Sequence, residues 1–397
     1  MKARIRMQQA PLFSLTDRSG AGRRVKAMRG FTLVELLVAV AIGLLTTLVI
    51  AQVLLFSEGQ KRTTTSGTDA QINGAQAIYT LQRDLQMAGY GFASSPDILG
   101  CPIYARFNSA DIATGAGTPT FASVLAPVVI DASDANRNVI RILGSLKANY
   151  AVPLQVILPS YNPAGAGTLK TVFPVTSNLG VRSGDLMLAA KFDGSRCEVF
   201  KVTADPTVDG QINRADEVAT WNATAFPTLV YTFGDILVNL GSVLDHRYAI
   251  SNTNTNANTL QLSRFSVSSP TAVAAPTDLF PNIVILQALY GKDTNADGIV
   301  DTYDQVTPDT NAKWRQVRSI RIVVVAQSSQ YEKEVVTSAK PLWDVGTTTS
   351  VSPATAACGA SKCITLNVDT TVGNDWQHYR YKVFDTVIPL INLLWTS

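Results

Sequence analysis

Residues 29–35 read Arg29-Gly30-Phe31-Thr32-Leu33-Val34-Glu35, and they stand where a basic N-terminal segment meets a long apolar run. The run continues to Phe56 without a proline, and its polar residues are Thr32, Glu35, Thr46, Thr47 and Gln52. At about 1.5 Å per residue this run would form a helix of roughly 39 Å, longer than the ~30 Å hydrocarbon core of a bilayer. The sequence therefore predicts one membrane-spanning helix over residues 31–56.

The positive charge of the chain is concentrated before this helix. Residues 1–30 contain eight basic residues and one acid, whereas the whole chain has 33 basic and 30 acidic residues, so residues 31–397 hold 25 and 29. Because basic flanks stay in the cytoplasm, we expect the part after Phe56 to be exported. That part lacks the basic excess of a nucleic-acid-binding surface, and we expect no nucleic-acid partner.

Glu35 is the residue that a simple membrane anchor does not explain. A secretory signal peptide has an apolar region of only about 7–15 residues, so this run is too long for one. A plain anchor fits the length, but an ionised carboxylate near the end of a bilayer span still needs a partner. Cleavage after Gly30 would create an α-amino group on Phe31, and this cation could neutralise Glu35 in the same chain or in a neighbouring helix.

The segment Gly-Phe-Thr-Leu-Val-Glu-Leu-Leu-Val-Ala at residues 30–39 resembles the class III signal of type IV pilins and type II secretion pseudopilins. The resemblance implies that prepilin peptidase cuts after Gly30 and removes a leader of residues 1–30. It further implies that Phe31 becomes the N-methylated terminus and that Glu35 aligns subunits during assembly.

The fold class that we predict is α+β, with a long N-terminal pilin helix packed on a large β-rich domain. Residues 57–90 are predicted to continue the helix as an amphipathic segment, fraying over 57–70, where Thr and Gly are weak helix formers. Its apolar stripe is assigned to Ala75, Ile78, Leu81, Leu85 and Ala88, and Gly89-Tyr90-Gly91 is predicted to end it.

Residues 91–397 are predicted to form the β-rich exported domain with insertions, because short apolar runs alternate with turn residues. The runs assigned to strands are 139–143, 154–158, 186–190, 198–203, 260–265, 283–290, 320–326 and 379–388.

Four cysteines, Cys101, Cys197, Cys358 and Cys363, lie in the exported part. An even number of cysteines in an oxidising compartment favours disulfides, and we expect Cys101 to pair with Cys197 and Cys358 with Cys363. A zinc site is the alternative, but the C-x₄-C pair has no histidine nearby.

Residues 293–304 match a calcium-loop pattern except at the last position, where Asp304 replaces Glu. The predicted ligands are Asp293, Asn295, Asp297, the carbonyl of Ile299, Asp301 and Asp304. Gly298 would allow the sharp turn. An acidic turn without metal, held by Asx hydrogen bonds, is the alternative.

Further segments resemble PilW-type minor pilins of the type IV pilus, although the linkers 205–228 and 345–362 depart from them. These segments are residues 81–90, 100–101, 184–187, 197–203, 290–304 with Trp314, and 379–384. The resemblance implies a low-abundance pilin stored in the inner membrane with its C-terminal domain in the periplasm. It implies that other minor pilins and the major pilin are partners, and that the protein helps to initiate the pilus and sits at its tip with an adhesin.

Two other functions remain open from the sequence. A large minor pseudopilin of type II secretion would share the processing signal, the β-rich domain and calcium binding. A membrane-anchored envelope enzyme is the third candidate. The chain has only His246 and His378 as histidines and lacks the G-x-S-x-G, H-E-x-x-H and P-loop motifs, so we expect no enzyme.

Overall fold

The computed structural model describes residues 30–113, 120–217, 220–251, 258–271, 275–347, 350–352, 355–369 and 375–394. The side chains of residues 62, 63 and 66 are outside this description. The predicted leader, apart from Gly30, also lies outside it. The chain divides into two compact units, Met1–Gln60 and Lys61–Ser397.

Helix α1 is one continuous helix of 55 residues, Leu33–Met87. The predicted fraying over residues 57–70 is wrong, since this segment is helical throughout. Weak helix formers cost less than about 1 kcal/mol each, and the Thr68 hydroxyl donates to the Thr64 carbonyl at 2.9 Å. The helix ends at Met87, and Gly89 and Gly91 after it have φ values of +77° and +92°.

In the rest of the described chain, the regular elements are β-strands and short helices. The strands are β1 (Ile103–Phe107), β2 (Ala110–Asp111), β3 (Val128–Asp131), β4 (Val139–Gly144), β5 (Leu154–Gln155), β6 (Val172–Pro174), β7 (Leu186–Ala190), β8 (Cys197–Lys201), β9 (Gln211–Asn213), β10 (Ile236–Gly241), β11 (Leu244–Ser251), β12 (Thr259–Arg264), β13 (Thr277–Phe280), β14 (Ile283–Lys292), β15 (Thr302–Asp304), β16 (Val317–Gln327), β17 (Leu342–Gly346), β18 (Ser350–Val351), β19 (Ala356–Cys358), β20 (Ser361–Thr365) and β21 (Tyr381–Pro389). The short helices are α2 (Asn311–Arg315), α3 (Ile391–Leu394) and the 3₁₀ turns Pro96–Ile98, Gly167–Lys170 and Trp376–His378.

The strands form five sheets, and most neighbouring strands are antiparallel. The largest has the order β2-β1-β8-β7-β10-β5, and two five-stranded sheets have the orders β13-β12-β11-β4-β3 and β18-β15-β14-β16-β21. A three-stranded sheet β17-β20-β19 and a two-stranded pair β6-β9 complete them. The pairs β1·β8 and β15·β18 are parallel.

Both faces of the central strands are covered, which explains their continuous apolar sequences. In β14 all ten residues are buried. In β16, Ile322 and Val324 belong to the main apolar cluster, which also contains Leu81 and Leu85 of α1, whereas Val323 and Val325 belong to a cluster on the opposite face. The predicted fold class, a long helix with a β-rich domain, is therefore confirmed.

The apolar stripe of α1 differs from the prediction by one helical position. Leu81, Leu85 and Ala88 are buried as predicted and Ile78 is partly buried, but Ala75 is exposed. Gly74 and Ala77 lie on the buried face instead. Glycine has no apolar side chain, so the sequence pattern does not mark Gly74 as part of the stripe.

The predicted strand over residues 154–158 has only two residues, β5. From Val156 the chain leaves the sheet, and Val156 forms an isolated bridge with Val175. The other seven predicted strands are present with bounds within three residues of the predicted ones.

Candidate functional site

The predicted processing junction lies at the very start of α1. Gly30 is exposed, Phe31 has 81% of its surface exposed, and Thr32 immediately precedes the helix. The Thr32 Oγ1 atom accepts a hydrogen bond of 3.2 Å from the Glu35 backbone N–H. Thr32 is thus the N-cap of α1, and Glu35 occupies the third helical position, as in a capping box.

The first part of α1 is long and apolar enough to cross a membrane. This candidate span is Leu33–Lys61, with a mean hydropathy of 2.6 and none of it buried within the protein. Thr46 and Thr47 do not weaken it, because their hydroxyls donate to the carbonyls of Ile42, Gly43 and Leu44 at 2.9–3.1 Å. Hydroxyl groups that are bonded within the helix are suited to an apolar environment.

A buried carboxylate on α1 connects the helix to strand β11. One Asp84 oxygen, Oδ2, lies 2.7 Å from Nδ1 of His246 and accepts a hydrogen bond of 2.6 Å from the Tyr248 hydroxyl. Asp84 is only 7% exposed. Burial alone would raise the pKa of Asp84, but the hydrogen bonds from His246 and Tyr248 outweigh it and hold that pKa below its ordinary value. Burial and the Asp84 carboxylate raise the pKa of Tyr248, so this hydroxyl remains a donor.

The sequence patterns did not predict this cluster. The available signal was a charged residue, Asp84, inside the apolar stripe between Leu81 and Leu85. A carboxylate at a stripe position has to be satisfied when the stripe is buried.

Two further contacts hold the end of α1 in the second unit. Asn392 of α3 donates from Nδ2 to the carbonyls of Gln86 and Ala88 at 3.4 and 3.0 Å, which satisfies orphan carbonyls at the helix end. Gly74 faces the ring of Phe384 on β21 so closely that a Cβ atom at this position would overlap the ring.

The acidic loop between β14 and β15 brings part of the predicted calcium ligand set together. Asp293 accepts hydrogen bonds from the backbone N–H groups of Asp297 and Gly298 at 3.2 and 3.0 Å. Asn295 donates from Nδ2 to Asp297 Oδ2 at 3.1 Å. Gly298 has a φ of +86°, which supplies the turn.

The two remaining predicted carboxylates have other partners. Asp301 accepts hydrogen bonds from the backbone and hydroxyl of Thr294, and these bonds lower its pKa. Asp304 lies in β15 opposite Tyr290, and both of its oxygens accept from Lys292 Nζ at 2.7 and 2.9 Å. Arg318 forms an ion pair of 3.2 Å with Asp293. Two basic side chains therefore neutralise part of the loop's negative charge.

The four cysteines form two disulfides, Cys101–Cys197 and Cys358–Cys363, with Cα separations of 5.9 and 5.8 Å. The first joins the parallel strands β1 and β8 near their starts. In the described chain, one group of His, Cys, Asp or Glu has its ligand atoms within metal-binding distance, namely Asp344 with Cys358 and Cys363. Because the two sulfurs are bonded to each other, they are not thiolate ligands for zinc.

Each histidine contacts a residue of a different segment of the chain. His246 bonds to Asp84, while His378 has its Nδ1 atom 2.7 Å from the Glu332 carbonyl and its ring stacked on Tyr331. Both rings therefore serve to fasten one segment of the chain to another.

Comparisons with known proteins agree with the junction and the β-rich domain. Residues 25–51 match the model of the prokaryotic N-terminal methylation motif, and residues 247–392 match the family model of type IV pilus-assembly protein W. The chain is thus similar to PilW-type pilins over its C-terminal part and to prepilins at its start. These family matches point to a structural protein and are consistent with processing by prepilin peptidase and association with other pilins.

Among solved structures, the type IV-like pilin TTHA1219 from Thermus thermophilus is similar with 11% identity over 53% of this chain and 84% of that chain, at a TM-score of 0.21. No curated protein sequence matches the chain. The similarity to PilW-type pilins therefore depends on the two family models, and the fold class on the helix and strands of the structure itself.

Proposed function

We propose that this chain is a low-abundance minor pilin of the PilW type that helps to initiate the pilus and sits at its tip with other minor pilins and an adhesin. The observation that supports this most is the exposed apolar part of α1, Leu33–Lys61, which begins two residues after the cleavage junction. An apolar surface of this size requires a membrane before assembly and other helices afterwards.

The proposed mechanism begins with prepilin peptidase cutting after Gly30. The new α-amino group of Phe31 is then four residues from Glu35, which stands in the first turn of α1. In the inner membrane this amine neutralises the carboxylate of its own chain. In the filament it pairs with the carboxylate of a neighbouring subunit, since an unpaired charge among apolar helices is costly. The β-rich domain is exported to the periplasm and faces outward in the filament. The neighbouring subunits in that filament include the major pilin.

A large minor pseudopilin of type II secretion is the second candidate, because the methylation motif at residues 25–51 is common to both systems. The two candidates differ in where the chain is found. Recovery of the chain in sheared pili supports the first, whereas retention in the envelope with loss of protein secretion on deletion supports the second. The family matches do not favour the membrane-anchored enzyme.

Replacing Glu35 by alanine is expected to leave cleavage intact but to reduce incorporation into sheared pili by about tenfold, the effect of one lost charge-assisted hydrogen bond. N-terminal sequencing of the mature chain should begin at Phe31, and immunoblotting of the sheared fraction measures incorporation. The matched control is Gly30→Leu, which we expect to block cleavage and retain the leader. Normal incorporation of the Glu35→Ala chain would contradict the proposed pairing.

We further propose that the loop after β14 binds calcium. The hard oxygen ligands are those of Asp293, Asn295, Asp297 and Asp301 with the carbonyl of Ile299, the ligand type that calcium prefers. These residues would hold the ion, whose positive charge would cross-link their oxygens, and Asp293 would exchange its contact with Arg318 for the ion. Asp304 would join the set only by leaving Lys292.

Calcium should raise the melting temperature of the detergent-solubilised chain, because a ligand that binds only the folded state adds about 2.7 kcal/mol at a hundredfold excess over its Kd. Replacing Asp293 and Asp297 together by alanine should abolish this rise. The matched control replaces Asp193 and Asp209 by alanine, since both are aspartates outside the loop that accept a hydrogen bond from a nearby backbone N–H. If calcium leaves the melting temperature of the wild-type chain unchanged, the proposed calcium site is wrong.

A further inference from the structure

A cavity of about 840 Å³ in the second unit is lined by residues of two different sheets. Phe107 of β1 and Lys201 of β8 belong to the six-stranded sheet, whereas His246 of β11 and Arg264 of β12 belong to the sheet β13-β12-β11-β4-β3. Its volume lies within the range of about 300–1,000 Å³ that small-molecule sites have. Neither the processing junction nor the acidic loop contributes to its lining.

Hydrogen bonds within the chain hold the walls of this cavity together. The Trp221 Nε1 atom donates to the Val267 carbonyl at 3.2 Å, which joins two of the lining segments. Asn222, the next residue after Trp221, donates from Nδ2 to the Lys201 carbonyl at 2.7 Å and so fastens its segment to β8. The cavity is therefore formed before a ligand binds, and binding requires little ordering of the chain.

An aromatic cluster forms the apolar part of the lining. The rings of Phe107 and Phe265 meet the buried ring of Trp221 in T-shaped contacts, with centroids 5.9 and 6.0 Å apart. Both phenylalanines are only partly buried, and both line the cavity. Because the face of an aromatic ring is negative, it attracts the partly positive C–H groups of a ligand. A saturated ring with C–H groups on one face suits this surface.

One cation at the cavity is not balanced by an acid. The side chain of Arg264 is exposed and makes no hydrogen bond or ion pair with a described residue. Lys201, in contrast, forms an ion pair of 3.4 Å with Glu217. Arg264 thus supplies unbalanced positive charge, and its planar guanidinium can donate to both oxygens of a carboxylate.

His246 supplies a hydrogen-bond acceptor next to Arg264. The two residues are directly opposite each other on β11 and β12, so their side chains lie on the same face of the sheet. Asp84 is ionised and can only accept, so the hydrogen between the two groups is on Nδ1 of His246. Nε2 of the neutral ring then carries a lone pair, and it bonds to no described residue. A ligand hydroxyl is the kind of donor that this atom needs.

We propose that this cavity binds a sugar acid, namely a pyranose ring that carries one carboxylate and several hydroxyl groups. Arg264 binds the carboxylate, and Nε2 of His246 accepts a hydrogen bond from a ring hydroxyl. The C–H face of the ring packs on Phe107 and Phe265. A free sugar acid and the terminal residue of an acidic polysaccharide share this chemistry. The site does not depend on the proposed role in the pilus.

The test measures binding of D-glucuronate to the full-length chain by ligand-detected NMR titration, in a detergent without a sugar headgroup. Two probes each lack one recognised feature: D-glucose has no carboxylate, and cyclohexanecarboxylate has no hydroxyl groups. We expect each to bind at least about tenfold more weakly than glucuronate, because each loses one or more hydrogen bonds. Methyl β-D-glucuronide distinguishes the two sources. If it binds as glucuronate does, a polysaccharide end fits the site, whereas weaker binding indicates the free acid.

Variants of the chain locate the binding site. Arg264→Gln should lower the affinity for glucuronate about tenfold, because it removes the charge-assisted hydrogen bonds to the carboxylate. The matched control is Arg247→Gln, since Arg247 follows His246 on β11 and its side chain lies on the opposite face of the sheet. This control should leave the affinity unchanged. Leu146→Trp, at an exposed lining position, should also weaken binding because the larger side chain narrows the cavity.

Several results would overturn the proposal, and none of them bears on incorporation into pili. Glucuronate that shows no saturable binding, or that binds no better than glucose or cyclohexanecarboxylate, would show that the ligand class is wrong. Tighter binding of glucose 6-phosphate than of glucuronate would show that the cavity recognises a phosphate instead. An unchanged affinity in the Arg264→Gln chain would show that the sugar acid binds elsewhere. If this variant has a lowered melting temperature, Leu146→Trp decides the location in its place.

Discussion

Asp84→Ala is expected to lower the free energy of unfolding by about 3 kcal/mol, because it removes two hydrogen bonds to a charged group and leaves buried donors without a partner. The Tyr248 hydroxyl and His246 Nδ1 both approach the same Asp84 oxygen, at 2.6 and 2.7 Å. Tyr248 is fully buried, so water cannot replace the lost acceptor. The change also frees the end of α1 from strand β11.

The measurement is the denaturant midpoint of the detergent-solubilised chain with its disulfides intact. The matched control is Asp69→Ala, which removes an exposed carboxylate from the same helix and should change the midpoint little. Tyr248→Phe removes one of the two hydrogen bonds and should cost less than Asp84→Ala. Equal midpoints for Asp84→Ala and Asp69→Ala would show that the cluster does not stabilise the fold.

The pH dependence of stability offers a second measurement on the same residue. The pKa of Asp84 lies below its ordinary value of 3.8 in the folded chain, so the unfolded chain takes up the proton first as the pH falls. The stability from Asp84 is therefore complete above about pH 4 and is lost as the pH falls through the folded-state pKa. In the Asp84→Asn chain, this part of the acid destabilisation should be absent.

The sequence predicted the elements whose patterns are local. The membrane-spanning run, the helix end near Gly89 and strands such as β7 and β14 follow from uninterrupted apolar residues and from turn residues at their ends. The strand β11 was missed because Asp245, His246 and Arg247 break its apolar pattern. In the folded chain these residues have partners on other elements: Arg141 of β4 binds Asp245, and Asp84 of α1 binds His246.

The acidic loop shows that the prediction of a binding site from local sequence has the same limit. The spacing of Asp293, Asn295 and Asp297 predicted that their side chains meet around Gly298, and hydrogen bonds among them are present. The pattern could not predict that Lys292, one residue before the loop, would hold Asp304 at 2.7 Å. That contact depends on the pairing of β14 with β15, which places Asp304 opposite Tyr290. A ligand pattern describes the residues of one loop. Strand pairing in the sheet decides which basic side chains compete with a metal ion for those carboxylates.

Gly74 and Gly67 provide a test in which the same substitution in the same helix should have opposite effects. Alanine is a better helix former than glycine by about 1 kcal/mol, so Gly67→Ala, where a Cβ meets nothing within 4 Å, should stabilise the chain. At Gly74 a Cβ would overlap the Phe384 ring, which is itself packed on the main cluster. Overpacking of this kind costs about 1–3 kcal/mol and should exceed the gain in helix propensity.

The denaturant midpoints of the two variants should therefore move in opposite directions, down for Gly74→Ala and up for Gly67→Ala. Shortening the ring side chain tests the cause, because in a Phe384→Ala background the added methyl has space. There, Gly74→Ala should no longer be destabilising, and the coupling energy from the double-mutant cycle should be about 1 kcal/mol or more. A destabilisation by Gly74→Ala that persists without the ring would show that α1 and β21 do not meet at this point.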